Sequence, residues 1–325
     1  MISFLLRRVL GGFAVLYVTV TLVFFSVFVL GNPVDVLMSN TTDPAEREAA
    51  IIRLGLDRPV LEQYFHFLWN AAHGDLGNSF VYGKPAMSVI FERLPATLEL
   101  AIIAIIASIL IGIPLGLTAG LKHRSAFNKI VMTGSIFGFS LPYFWVGLML
   151  ISVFAVQLHW LPSGGRGPTT SFLGLNWSIT SLEGLTYVLL PAVTLALYKI
   201  SLIIRISETS ARNVNRQDYI RTAHARGVPP ARIVAVHILK NAILPVITVL
   251  GIEFGTIIAY SVSVETVFSY PGMGKLLIDS VINTDRPVII AYVCMTSFIF
   301  VTTNFLVDLL YAILDPRIRH SVSGA

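Results

Sequence analysis

Three ionisable side chains stand within or directly beside stretches that are otherwise apolar. Lys199 interrupts 185–204, Glu253 interrupts 242–264, and Asp308 follows the uncharged run 287–307. A charge in hydrocarbon is a functional candidate by default, because it must be paired, neutralised or carried to an interface. Glu253 lies near the middle of its stretch and is expected to face the interior of a helix bundle, neutral or paired, as a pathway residue or as a structural hydrogen-bond acceptor. Lys199 is about 9 Å from Arg205 along a helix, close enough for its ammonium to snorkel to the cytoplasmic interface. Asp308 is within about two turns of Asp315 and is expected in a packing contact near that interface. The segment 269–276, SYPGMGKL, superficially suggests a phosphate loop, but that loop needs G-x4-G-K-[ST]. Ser269 replaces the first glycine and Leu276 replaces the magnesium-binding hydroxyl. Seven histidines occur without an H-x3-H or H-E-x-x-H spacing, so no metal site is expected. No Ser-His-Asp set has a credible local context, so no catalytic residue is assigned. The single cysteine, Cys294, excludes an internal disulfide and reads as a packed core residue.

The elements that must position these residues are membrane helices. Only 13% of the residues are charged and 55% are hydrophobic, against roughly 25% charged in a soluble domain. Runs 9–30, 100–121, 130–160 and 287–307 carry no charge, and about 20 apolar residues suffice to cross a bilayer. With the two interrupted stretches the expected number of spans is six. The first run exceeds the about 7–15 residues of a signal-peptide core and no A-x-A pattern follows it, so it reads as an uncleaved helix. Six spans put both ends on one side, which would hold 1–8, 122–129, 205–240 and 315–325. That side carries 14 Lys and Arg against Glu208, Asp218 and Asp315, whereas the opposite loops carry eight against thirteen acids. Basic loops stay cytoplasmic, so both termini are expected inside.

The two long outer connections differ in character. Within 32–96, the stretch 59–72 places Val60, Tyr64, Phe67 and Leu68 at helical spacing and predicts a short amphipathic helix. Residues 161–184 are rich in Gly and Pro and read as a turn-rich connector, with Trp160 at the outer interface. Inside the spans, Gly112, Gly116 and Gly120 share one helix face, as do Gly134 with Gly138 and Gly251 with Gly255, which predicts close helix packing or a sliding surface. Pro114, Pro142 and Pro191 are expected to kink their helices.

The segment 205–240 is far longer than the two to eight residues of a simple helix connection. Asp218 is placed to N-cap a helix over 219–226, Gly227 to end it in a left-handed conformation, and Pro229 and Pro230 to open a second helix over 231–240. Thr222, Ala223 and Ala225 give the first helix a small-residue face, between Arg221 and Arg226, suited to entering a groove on another protein.

This segment resembles the cytoplasmic loop of ABC importer permeases, patterned E-A-A-x3-G-x9-I-x-L-P. Ala223, Gly227 and Leu239 match; Arg221, Thr222, His237 and Lys240 depart. The stretch 218–227, DYIRTAHARG, closely resembles the dipeptide and oligopeptide branch, as do LGLDRP at 54–59, GDLGNS at 74–79, LPATLEL at 94–100, SLPYFW at 140–145, VETVFSYPGMGKLL at 264–277 and VDLLYAILDPRIR at 307–319. Asn32 stands where that branch has an aspartate. The resemblance implies an all-α polytopic membrane protein of type I ABC importer permease fold, in a bacterial inner membrane. It divides into a helix over 1–31, a periplasmic loop over 32–96, a core over 97–315 carrying the coupling loop 205–240, and a cytoplasmic tail over 316–325. It also implies a homologous second permease, two cytoplasmic ATP-binding subunits that hold ATP and magnesium, and a periplasmic substrate-binding protein. No cofactor is expected in this chain and no nucleic-acid partner. The coupling contact would fall on Asp218, Tyr219, Arg221, Thr222, Ala223, Ala225, Arg226 and Gly227. Nickel, glutathione or another small solute is the alternative cargo. An ion-driven secondary transporter or an intramembrane enzyme fits less well, for want of two related halves or a catalytic constellation.

Overall fold

The computed structural model describes residues 2–29, 44–53, 57–172 and 174–314. Among these the fold is a helical bundle. Helix α1 (Ile2–Val29) is followed by the short α2 (Pro44–Arg53) and α3 (Val60–Ala72). Next come α4 (Ala86–Leu121), the bent pair α5 (Ala126–Ser140) and α6 (Tyr143–Gln157), and a hairpin of β1 (Thr170–Phe172) and β2 (Leu175–Trp177). Helix α7 (Leu182–Asn215), the short α8 (Asp218–Ala225), α9 (Pro230–Val267), α10 (Met273–Ile282) and α11 (Arg286–Leu314) complete the chain. The stretch 54–56, residues 30–43 and the tail 315–325, with Asn32 and part of two of the family-like stretches, lie outside the described residues.

Among the described residues five helices are long and apolar enough to span a membrane, or six with the bent α5–α6 pair counted as one span. The kink expected at Pro142 within 130–160 is a full break of the helix. The two halves meet at 102°. Leu141 is extended (φ −84°, ψ 132°) and Pro142 opens α6 without an N–H to give back to the preceding turn. A residue before proline is pushed out of the helical region, so the chain turns rather than kinks. Pro191 and Pro245 sit inside helices that continue through them. Pro114 follows a widened turn over Ser108–Gly112, where the carbonyl four residues before a proline needs room.

Helix α7 is the centre of the bundle. Val188, Leu195 and Ala196 pack with Leu100, Ala101 and Ala104 of α4 and with Ile257 and Val264 of α9. The predicted glycine stripe lies in the α4–α7 seam. A Cβ on Gly116 would stand 2.5 Å from the Ile204 carbonyl oxygen, and one on Gly120 2.5 Å from that of Glu208. Helices associate in lipid through such close packing. Gly251 meets Val307 and Gly255 meets Phe300, but Gly134 faces open space, so not every four-residue glycine pair is a packing seam.

The predicted helix over 59–72 is α3, which lies against α1. Tyr64 is buried against Phe24, its hydroxyl 2.7 Å from Thr21 Oγ1, and Phe67 stacks on Phe24. Asp308 of α11 pairs with Arg8 of α1 at 2.9 Å, the packing contact expected of it. Cys294 is half-buried beside Ile289 and Ile290.

Candidate functional site

At the α8 end of the bundle, the segment 205–240 holds more helix than the two short helices predicted for it. Helix α7 runs on to Asn215, and the second predicted helix is not separate: 230–240 opens the long α9. Gln217 occupies the N-cap position and Asp218 is the first helical residue, so the expected Asp218 cap is corrected. Its carboxylate still sits in the first turn, where the helix dipole favours negative charge. Gly227 adopts φ +72°. The Gly227 N–H donates to the His224 carbonyl (3.0 Å) and the Val228 N–H to that of Ala223 (3.2 Å), which together form a Schellman motif.

Two side chains hold α8 in place. Ile220 and Ala223 are buried with Ala211 of α7 and with Ile233, Ile238 and Ala242 of α9, and Leu117 and Leu121 of α4 close the cluster. Asn241 of α9 donates to the Tyr219 hydroxyl (3.3 Å). Ala223 therefore faces its own chain rather than a groove elsewhere. Asp218, Tyr219, Arg221, Thr222, Ala225, Arg226 and Gly227 are exposed. Seven of the eight predicted residues are thus exposed, on or just after a helix whose other side packs against α4, α7 and α9.

Further along α7 and α9, Lys199 and Glu253 meet. The Lys199 ammonium donates to the Glu253 carboxylate and, at 2.9 Å, to Thr256 Oγ1. Lys199 is only 1% exposed, so it does not snorkel. Its position along the helix allowed that, but its azimuth points it at α9. Its Nζ stands 5.4 Å from the ring centroids of both Tyr198 and Tyr260. Tyr143, the first residue of α6, brings its ring to 5.3 Å from Tyr198 and 5.2 Å from Tyr260. The break at Leu141–Pro142 is what delivers it there.

At the hairpin end, three carboxylates with no exposed surface act as acceptors. Glu265 accepts from Thr97 Oγ1 (2.7 Å) and the Lys275 N–H (2.9 Å). Glu99 accepts from Arg166, the Ser178 N–H (3.0 Å) and the Tyr270 hydroxyl (2.9 Å). Asp285 accepts from Ser79 and the Phe80 N–H (3.1 Å). Burial and the adjacent Glu99 charge push the Tyr270 phenol above its ordinary range, which keeps its proton in place for that bond. The phosphate-loop-like segment is thus explained: a Cβ on Gly272 would collide with the Glu265 carboxylate, and one on Gly274 with the Val262 backbone. These acceptors were missed as a set. The only sequence signal was that LPATLEL and VETVFSYPGMGKLL both held acids, and the two stretches prove to be mutual partners. Among the described residues no His, Cys, Asp and Glu group could hold a metal.

Residues 112–320 match the family model described as binding-protein-dependent transport system inner membrane component, and 1–101 match its N-terminal companion. The chain is 39% identical to the di/tripeptide transport system permease protein DppB of Pseudomonas aeruginosa, across 98% of this chain and 99% of the relative. It is 36% identical to the dipeptide transport system permease protein DppB of Escherichia coli K12, with the same coverage. A subunit of the methionine ABC transporter MetNI, solved facing inward, superposes with a TM-score of 0.53 at 18% identity, covering 70% of this chain and 97% of that one. That likeness is one of fold.

Proposed function

Since this chain belongs to the family of binding-protein-dependent transport system inner membrane components, we propose that it forms half of the transmembrane pathway of an ATP-driven importer for short peptides. It is a multi-pass inner-membrane transport subunit. The observation that carries the reading is α8, a short helix with one face packed against α4, α7 and α9 and the other open. In this reading the open face, with Tyr219, Arg221, Thr222, Ala225 and Arg226, enters a groove on a cytoplasmic ATP-binding subunit. Arg221 and Arg226 supply ion pairs there. A homologous second permease completes the pathway, and a binding protein delivers cargo at the hairpin end. ATP and magnesium belong to the ATP-binding subunits, and this chain catalyses nothing. Motion at α8 reaches Glu253 through about 30 Å of α9, at 1.5 Å per residue from Ile233. The names of the relatives support peptides as the cargo.

Reconstituted in vesicles with the second permease, the ATP-binding subunits and the binding protein, the chain should take up a labelled dipeptide only when ATP is supplied. ATP-dependent uptake of nickel or glutathione in preference to dipeptide would replace the cargo assignment, and ATP-independent uptake would replace the importer reading. Orientation has its own check. With Cys294 replaced, single cysteines at Ser125 and Asn213 should resist a membrane-impermeant thiol reagent applied to intact cells. Cysteines at Thr170 and Asn283 should react. Labelling at Asn213 would invert the topology.

A further inference from the structure

An ion pair inside hydrocarbon is expensive, and two apolar side chains of similar shape would join α7 to α9 as well or better. The Lys199–Glu253 pair is moreover set among three tyrosines drawn from three helices: Tyr143 of α6, Tyr198 of α7 and Tyr260 of α9. Its two charges are unequally reachable. Lys199 is 1% exposed and Glu253 17%, while Tyr260 beside them is 47% exposed and opens the cluster to the bundle surface. A group arriving over Tyr260 therefore meets the carboxylate first, with its counter-ion behind.

The tyrosines beside the carboxylate also accept a cation. The faces of Tyr198 and Tyr260 already attract one, each 5.4 Å from the Lys199 ammonium. The Tyr143 hydroxyl is buried and finds no hydrogen-bond partner among the described residues. A buried polar atom left in this way is rare and calls for a reason. A primary ammonium has three N–H donors, and a carboxylate, a phenol oxygen and an aromatic face can satisfy them together.

We propose that Glu253, with Tyr143 and the faces of Tyr198 and Tyr260, forms a transit site that takes the free α-ammonium group of a peptide. Lys199 stands as the counter-ion of the Glu253 carboxylate between passages. This rests on the peptide-importer reading. It adds to it a selection step within the membrane, made by this chain and separate from selection by the binding protein.

The reconstituted transporter tests it, read as labelled dipeptide carried per ATP hydrolysed. Tyr143→Phe should lower that ratio about tenfold, the factor that loss of one hydrogen bond to a charged group carries, without lowering the melting temperature of the complex. A purely structural role cannot produce this, because the hydroxyl has no bond to lose among the described residues. The pair Lys199→Met with Glu253→Gln removes both charges at nearly constant volume. As a mere latch it should carry peptide as well as wild type, but as a transit site it should lose about tenfold or more. Wild-type ratios in both variants would overturn the inference and leave the importer reading standing. A wild-type complex that carries no dipeptide would overturn that reading, and this inference with it.

Discussion

Gly116→Val is expected to leave almost no folded protein in the membrane. The added Cβ would stand 2.5 Å from the Ile204 carbonyl oxygen, 2.6 Å from Ser207 Cβ and 3.1 Å from Ile204 Cα. Two of these neighbours are backbone atoms of α7, which cannot rotate away as a side-chain tip can. Gly112 and Gly120 hold the same seam closed on either side, so relief requires α4 to move off α7 as a body. Overpacking alone costs roughly 1–3 kcal/mol, more when backbone must shift, and a folded domain holds only about 5–15 kcal/mol in reserve. In lipid the loss is compounded, because close van der Waals packing drives helix association where there is no water to expel. Gly134→Val is the internal control. It is the same substitution, also in a membrane helix, but its Cβ meets nothing within 4 Å. Membrane level by immunoblot and melting temperature in detergent should fall steeply for Gly116→Val and hardly at all for Gly134→Val. Equal melting temperatures would show that the seam is not under packing constraint.

The features legible in the sequence were those set by local chemistry. Apolar runs gave the spans because a helix crossing hydrocarbon must be apolar for about 20 residues whatever surrounds it. Gly227 was legible because a glycine after a short helix, with prolines beyond it, has few other conformations to offer. What escaped was direction and azimuth. The run 130–160 has the composition of one span, and composition does not record that Leu141 and Pro142 turn the chain by 102°. Lys199 read as a snorkelling residue because its distance from Arg205 was known, while the side of α7 it occupies was not. Its partner Glu253 lies 54 positions away in sequence. The segment 205–240 read as two short helices of its own, whereas α7 runs on to Asn215 and the second predicted helix is the start of α9. Glu99, Glu265 and Asp285 were counted as outer charges. Buried and fully hydrogen-bonded, they order the hairpin end, which charge counting cannot reveal.

Gly227→Val should spare the fold and disable transport. Its Cβ would meet nothing within 4 Å, so no neighbour is displaced and the penalty is confined to the backbone at φ +72°. A left-handed residue with a side chain costs roughly 1–2 kcal/mol, and a β-branched one is a genuine outlier there. The cheapest escape is to give up the two Schellman bonds from Gly227 and Val228 to His224 and Ala223, which frees the last turn of α8. That turn carries Thr222, Ala225 and Arg226, three of the five open-face residues assigned to the ATP-binding subunit. Membrane level and melting temperature should stay near wild type, since Ile220 still anchors the helix, while ATP-dependent dipeptide uptake falls about tenfold or more, the factor attached to about 1.4 kcal/mol. Gly227→Asn should be milder than Gly227→Ala, and Ala milder than Val, because Asn tolerates the left-handed region best. Ala223→Asp should fail differently. It places a carboxylate among Ile220, Ile233 and Ile238 inside this chain, so the protein itself should disappear from the membrane, as an unpaired buried charge requires. If Gly227→Val couples ATP to uptake as well as wild type does at equal membrane level, α8 is not the element that transmits the motion.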